Sequence, residues 1–347
     1  MAYATQRKQG EELNRPYEED LPVHEWYRFV LSFPPHLIRH YVEKISISEG
    51  QRILDPFCGT GTTLVESKKL GIPSVGVEAN PVVHFAASVK TDWGIKPTAL
   101  KAYAESVAGE VQSILDHQGI AQYYGPLFRI QHYEPMELKT LDAEQERLLI
   151  KDSISPVPLH KSLTLLEVLD ARNNQYFNRH AKLALAKQLV YSISNLRFGP
   201  EIGVGKIKND APVLSSWMQA IEDMVSDIEL VRHLPDTATT VHLGDAREIG
   251  NFIKSASIDA VITSPPYPNE KDYSRTTRLE SVLLGFMHNR RDLRQHKHQF
   301  VRSNTRAVYK SDVDDRWVDD LPYVQELANS IEQRRIELQK ASGFERL

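Results

Sequence analysis

Cysteine is almost missing from this chain: Cys58 is the one cysteine in 347 residues. No internal disulfide can staple the fold and no cysteine-rich zinc site can form, which fits a reducing compartment and makes the cytoplasm the expected location. Long apolar runs are missing too. No segment approaches membrane-spanning length, and the first residues lack the basic-then-apolar pattern of a signal peptide, so no membrane partner is expected. There is no excess of positive charge either: the formal net charge is −4 and the isoelectric point near 6.4. Contact with a polyanion therefore has to come from a local basic patch. What the chain does have is 41% hydrophobic residues, over a length that can bury one large core with an insertion or two smaller ones.

The most particular stretch is Ile53-Leu54-Asp55-Pro56-Phe57-Cys58-Gly59-Thr60-Gly61-Thr62-Thr63. Ile53 and Leu54 read as the end of a buried parallel strand. Gly59 and Gly61 permit a tight turn with close approach of a ligand. Thr62 then opens a helix whose free N–H groups face that turn, and Gly71 closes it as a C-cap. A dinucleotide fingerprint would need glycine where Leu64 stands, and a phosphate-binding loop would need Gly-Lys-Ser/Thr, so neither applies. Pro73 to Glu78 reads as the next strand, ending on an acid at the distance from the loop where βαβ nucleotide folds bind a ribose diol. Asn80 and Pro81 suit the N-cap and N1 positions of a helix running to about Lys90.

Elsewhere the pattern is mostly helical. Met1 to about Asp20 is polar and reads as a mobile arm. Trp26, Phe29, Val30 and Phe33 recur at helical spacing, as do Leu37, Ile38, Tyr41, Val42 and Ile45 after the Pro34-Pro35 break. From about Trp93 to Pro235 the alternation of strand and helix stops. One helical segment is expected from Leu100 to Leu115, another over Leu163 to Leu196, and a stripe runs through Trp217, Ile221, Met224, Ile228 and Val231. The glycine-rich loop from Phe198 to Gly205 lacks a strand-to-helix setting and reads as structural. The βα pattern resumes with Val241 to Asp245 and with Ile258 to Thr263, which runs into Ser264-Pro265-Pro266-Tyr267. Two prolines at a strand's carboxyl end turn the chain outward and expose the carbonyls of Ser264 and Pro265. Ligands of open α/β sheets bind beyond those strand ends, so this tetrapeptide should face the crevice of Gly59 and Gly61.

The segment Asp55 to Thr63 resembles the S-adenosylmethionine loop of amino-group nucleic-acid methyltransferases, and Thr263-Ser264-Pro265-Pro266-Tyr267 resembles their catalytic motif. The resemblance covers about residues 24 to 90 and 238 to 285. It implies an α/β fold of the class I methyltransferase, Rossmann-like type, with a mainly helical insertion. The expected organisation is an arm (1–20), a cofactor-binding half (21–94), a helical insertion suited to target recognition (95–235) and a catalytic half with a basic segment (236–347). By the same resemblance the cofactor is S-adenosylmethionine. Asp55 would meet its amino group, Glu78 its ribose hydroxyls and Asp245 its adenine amine, with Phe57, Gly59, Gly61 and Thr62 lining the loop.

An exocyclic base amine is a poor nucleophile because its lone pair is delocalised into the ring. Ser264 and the Pro265 carbonyl would hold its hydrogens, and Tyr267 would stack on a base pulled from duplex DNA. Positioning rather than a strong base carries such a reaction. Serine before Pro-Pro-Tyr points by resemblance to cytosine N4 rather than adenine N6, and Cys58, inside the cofactor loop, is expected to pack rather than attack. The implied function is site-specific DNA methylation associated with restriction-modification. Guanine-N2 methylation of RNA and a non-catalytic nucleic-acid-binding fragment are the alternatives. No convincing strand pattern follows Tyr267, so the expectation is either that the sheet's last strands come from a second polypeptide or that the chain is a truncated product, weakly active or inactive alone, that associates with a partner fragment or with itself. Arg290, Arg291, Arg294, Lys297, Arg302, Arg306 and Lys310 form a basic block that suits phosphate contact. His296 and His298 lack the companions of a metal site, and no metal is expected.

Overall fold

The structure is a computed structural model and describes residues 15–27, 32–120, 137–198, 202–267, 272–301 and 313–340. The chain forms two compact units, one of Met1–Pro265 with Tyr273–Gln299 and the other of Pro266–Asp272 with Phe300–Leu347. In chain order the first unit holds helix α1 (His36–Lys44), strand β1 (Ile53–Asp55), α2 (Thr62–Lys69), β2 (Ser74–Glu78), α3 (Pro81–Lys90) and α4 (Pro97–His117). Then follow α5 (Ala143–Glu146), α6 (Pro156–Arg172), α7 (Gln175–Gln188), the hairpin strands β3 (Leu196–Arg197) and β4 (Gly203–Val204), and α8 (Val213–Val231). Strands β5 (Thr239–Leu243) and β6 (Ala260–Val261) complete the sheet, followed by α9 (Tyr273–Thr276), α10 (Arg278–Leu283) and α11 (Arg290–Gln299). The second unit holds α12 (Pro322–Glu337).

The four-stranded sheet has the order β5-β2-β1-β6, and every pair is parallel. The strands most distant in sequence are therefore neighbours: Ile53 of β1 lies in register with both Ser74 and Ala260. This sets the carboxyl ends of β1, β2, β5 and β6 along one edge, where Asp55, Glu78, Asp245 and Ser264 were expected. Ile38 and Val42 of α1 pack with Ile53 and Ile72, against Ala260 and Ile262. Cys58, Leu64 of α2 and Ala87 of α3 pack against Val241 of β5.

The helices between β2 and β5 share one apolar core with α2 and α3. Val65, Ala86 and Val89 belong to the same buried cluster as Leu100, Val111, Leu165, Leu185, Trp217, Ile221, Met224 and Ile228. All five positions of the stripe from Trp217 to Val231 are buried on α8, as their spacing requires. The indole of Trp217 donates to the Ala181 carbonyl at 2.8 Å, so its polar handle is satisfied inside the core.

Several expectations need correction. The segment from Leu163 to Leu196 is two helices rather than one, because Asn173 adopts the left-handed conformation (φ 45°) that ends α6, and Asn174 caps α7 by accepting from Tyr176 and Phe177. Trp26 ends a 3-10 turn (His24–Trp26) and Phe33 precedes α1 in irregular chain, while Phe29 and Val30, the middle of the run expected at helical spacing, lie outside the described residues. Trp26 is fixed by a contact distant in sequence, its indole donating to Asp227 at 2.9 Å. The end of the expected arm is anchored as well. Asp20 is fully buried and bonded to Arg39 (2.6 Å) and His36 (2.9 Å). Around the glycine-rich stretch β3 and β4 pair antiparallel, and residues 199–201 between them lie outside the described set. Among the described residues no strand follows β6.

Replacing Trp217 with alanine removes the largest side chain of α8 from a fully buried position. A loss of about 3–5 kcal/mol is expected in urea unfolding. A change below about 1 kcal/mol would mean that the stripe does not hold the helical layer.

Candidate active site at the strand ends

Asp55 ends β1 and is 1% exposed. Its Oδ2 accepts from the Thr63 hydroxyl at 2.7 Å, and its Oδ1 from the Thr263 hydroxyl at 2.7 Å and the Phe57 N–H at 3.1 Å. One carboxylate thus ties three pieces of chain together: the turn after β1, the first turn of α2, and the residue that precedes Ser264. Burial raises the pKa of Asp55 against the lowering effect of these three donors. A carboxylate has about four lone-pair positions, so an acceptor position remains for a further cationic donor.

The turn itself needs glycine. Gly59 (φ 53°) and Gly61 (φ 86°) both sit in the left-handed region. A Cβ on Gly61 would in addition meet the Ala87 Cβ at 3.2 Å, because α3 lies directly against the start of α2. Thr60 and Thr62 are buried in the turn, and Phe57 is half-buried.

Glu78 ends β2 and closes the turn from the other side. Its Oε2 accepts the Gly59 N–H at 3.0 Å and its Oε1 the Asn80 N–H at 2.8 Å. Burial pushes its pKa up to about 7, against those backbone donors, and Asp55 pushes it the same way. The Gly244 N–H donates to the Glu78 carbonyl at 3.0 Å, which carries the connection on to the end of β5. There Asp245 caps the following turn through the Arg247 N–H at 2.9 Å, and the Arg247 guanidinium grips its carboxylate at 2.6 and 3.0 Å. The Asn80 side chain donates to the Thr277 hydroxyl at 3.0 Å, fixing the entry to α10 beside β2.

Asp55, Gly59, Gly61, Thr62 and Glu78 are therefore brought together by direct bonds or chain continuity, and Asp245 and Ser264 each join them one residue removed. Ser264 and Pro265 belong to the first unit; Pro266 and Tyr267 belong to the second, where Tyr267 is 55% exposed. Cys58 is buried against Leu64 and Ala87, and burial raises its thiol pKa well above normal, so its role is packing. Among the described residues no group of side chains could hold a metal ion.

Three contributors escaped the sequence reading. Thr63 and Thr263 were legible as motif letters but not as partners of one carboxylate 8 and 208 positions away. Gly76 lies inside β2, where a Cβ would stand 2.7 Å from Leu64 and 2.8 Å from the Cys58 sulfur. A glycine within a strand is a signal of close approach that was available. The third is a charged network under α2. Glu66, 1% exposed, bonds His24 (2.8 Å), Arg39 (2.7 Å) and Lys69 (3.0 Å). Burial alone would raise its pKa, but His24 and Lys69 outweigh it and hold it at about 2. Burial lowers the His24 pKa to about 4, so this imidazole is neutral at neutral pH.

A parallel sheet with a glycine turn after one inner strand and an acid ending the neighbouring strand defines an open α/β protein of the doubly wound type, whose ligand crevice lies at the strands' carboxyl ends. Comparison narrows that class. Residues 3–87 match the N6_N4_Mtase family, described as DNA methylase. The chain is 27% identical over 291 residues to the Type II methyltransferase M.BsoBI of Geobacillus stearothermophilus, covering 79% of this chain and 55% of that one. With the Type II methyltransferase M.AvaI of Nostoc sp. it shares 22% identity over 283 residues, 76% of this chain and 54% of the relative. A shorter match, 45% over 47 residues and 14% of each chain, links it to the tRNA (guanine(10)-N2)-dimethyltransferase of Methanothermobacter thermautotrophicus. The chain is similar to amino-group DNA methyltransferases and spans about half the length of the Type II relatives it matches.

Thr263→Val deletes one donor to a buried carboxylate without changing side-chain volume. A cost of about 1–3 kcal/mol is expected in denaturant unfolding, and a double-mutant cycle with Asp55→Asn should show coupling above about 0.5 kcal/mol. Additive losses would show that the Asp55 to Thr263 bond does not hold the two segments together.

Proposed function

We propose that this chain is the catalytic part of a site-specific DNA methyltransferase that transfers a methyl group from S-adenosylmethionine to an exocyclic base amine, cytosine N4 in particular. The observation that carries the reading is the Asp55 knot, because it joins the glycine turn to the residue before Ser264. The residues suit the cofactor. Gly59 and Gly61 let the backbone approach a ligand, Glu78 stands at the strand end where a diol is bound in such folds, and the free acceptor position of Asp55 suits an ammonium group. Asp245 is an acceptor for an adenine amine, held in place by Arg247. When bound, S-adenosylmethionine supplies an electrophilic methyl group. The chain supplies position: Ser264 and the Pro265 carbonyl accept the amine hydrogens and aim its lone pair, and Tyr267 stacks on a base turned out of the duplex. The proton leaves to water after transfer, so no strong base is required.

A second macromolecule is part of the proposal. Among the described residues β6 is the outer strand of an all-parallel sheet, and Val261 on it is 57% exposed. Parallel sheets are stable when covered, and an open strand edge favours pairing. A second polypeptide adding strands along β6, or a second copy of the chain, would cover it. RNA is the competing substrate, favoured by the short match to a tRNA methyltransferase.

The test is to incubate the protein with S-adenosylmethionine and unmethylated duplex DNA, then digest and weigh the nucleosides. N4-methylcytosine is expected. N6-methyladenine alone would reassign the base, methylation of RNA alone would reassign the substrate, and cofactor binding without any transfer would favour a non-catalytic fragment. Tyr267→Ala should weaken binding of a flipped base by roughly 1–3 kcal/mol while leaving cofactor affinity unchanged.

Glu78 gives a pH dependence with a definite sign. Its pKa in the fold is raised to about 7, so below that pH it carries a proton and loses acceptor capacity for two hydroxyls. Affinity for S-adenosylmethionine should rise about tenfold per pH unit up to about pH 7 and level off above it. By the same linkage the stability contributed by this group is fully present below the ordinary glutamate range and is lost as pH rises through about 7. Calorimetric affinities that stay flat from pH 5.5 to 8 would remove Glu78 from the binding site.

A further inference from the structure

We propose that the outer face of α11 is a phosphate-contacting surface for duplex DNA, with Arg290, Arg291 and Arg294 as its cations. The proposal rests on the DNA methyltransferase reading and names a contact surface for its substrate. The three arginines lie within two turns of one helix and all are exposed. Arg290 and Arg294 are four apart and share a face, and Arg291 flanks them. None of the three has a carboxylate partner among the described residues; Arg39, Arg172, Arg179, Arg232 and Arg247 of the same unit are each ion-paired, while Arg52, Arg147 and Arg197, likewise unpaired among the described residues, are single arginines not grouped on one helix. The acid in the segment, Asp292, is turned to the helix start, where it accepts the His288 N–H at 2.8 Å. On a chain with net charge −4, three exposed guanidiniums on one short helix, without carboxylate partners among the described residues, make a local cluster of positive charge.

The helix is also tied to the candidate active site. The Arg247 guanidinium, while gripping Asp245 at the end of β5, donates to the His298 carbonyl in the last turn of α11 at 3.0 Å. Asn289 fixes the other end, accepting from the Arg291 and Asp292 N–H groups at 2.9 and 3.1 Å. The last turn of α11 is therefore tied to the strand end at which the cofactor adenine is proposed to sit, with the arginines four to eight residues before that tie on the same helix. Guanidinium forks match phosphate oxygens in pairs, and a fixed row of them sets the register of a backbone without reading bases.

The experiment measures duplex DNA binding by fluorescence anisotropy between 50 and 200 mM salt, for the wild type and for the Arg290→Gln/Arg291→Gln/Arg294→Gln variant, with S-adenosylmethionine affinity and thermal unfolding measured in parallel. Each phosphate contact contributes about 0.9 to the slope of log affinity against log salt, so the variant's slope should fall by about 2 to 3. Its affinity at 50 mM should fall at least about tenfold, with cofactor affinity and melting unchanged. Arg232→Gln, an exposed ion-paired arginine elsewhere, should change none of these. An unchanged slope in the folded variant, with normal binding by the wild type, would overturn the α11 assignment and leave the function standing. A wild type that binds cofactor but no duplex at 50 mM would overturn both. Tighter binding to duplex RNA than to DNA, lost in the variant, would overturn the choice of DNA as the partner of this face.

Discussion

The arrangement depends on a buried carboxylate that takes three donors from its own protein. Asp55 accepts from Phe57, Thr63 and Thr263, and these donors come from the turn after β1, the start of α2, and the chain leaving β6. An ionised side chain at 1% exposure is costly to bury unless donors meet it. The requirement is what forces the three segments to converge. With Thr263 held, Ser264 has its place set by a single peptide unit, and with Thr63 held, α2 starts where its free N–H groups face the turn. Glu78 repeats the device on the next strand, through Gly59 and Asn80. Two acids that a sequence reader assigns to a ligand are first of all the clamps of the loop that would receive it.

Support for that loop extends well below it. Gly76 lets Cys58 and Leu64 pack directly on β2, and Ala87 closes on Gly61, so the turn is pressed between sheet and α3. Underneath, Glu66 gathers His24, Arg39 and Lys69, and Arg39 reaches on to Asp20. Breaking one partner of such a group leaves a buried charge exposed to a poor solvent, which is why these contacts hold chain segments in place more than they add stability. Residues 17–27 are held against α1 and α2 by charge, and by Trp26 and Val23 on Asp227 of α8.

The helices between β2 and β5 share a core with α2 and α3, so changes in that layer bear on the site. α3 is the intermediary: its Ala87 touches the glycine turn while Ala86 and Val89 face the helical layer. Further along the strand ends, Arg247 links Asp245 to α11, so the acid proposed to meet the adenine and the basic face proposed to meet DNA hang from one guanidinium.

By itself the sequence determined the local elements whose cause is local: β1 with its glycine turn, β2 ending on Glu78, the Asn80-Pro81 start of α3, and the buried stripe of α8. In each, the signal is a period or a turn residue within a few positions, and the chain has to obey it. The resemblance of residues 55–63 and 263–267 likewise needed only letters. The tertiary structure decided what the letters bind. Thr263 reaches Asp55 across 208 positions, Glu78 closes on a backbone N–H that no pattern marks, and Trp26 donates to Asp227 201 positions away. The reason is physical: burial makes an unmet polar group expensive, and the nearest donor in space is set by the crossover of parallel strands rather than by distance along the chain.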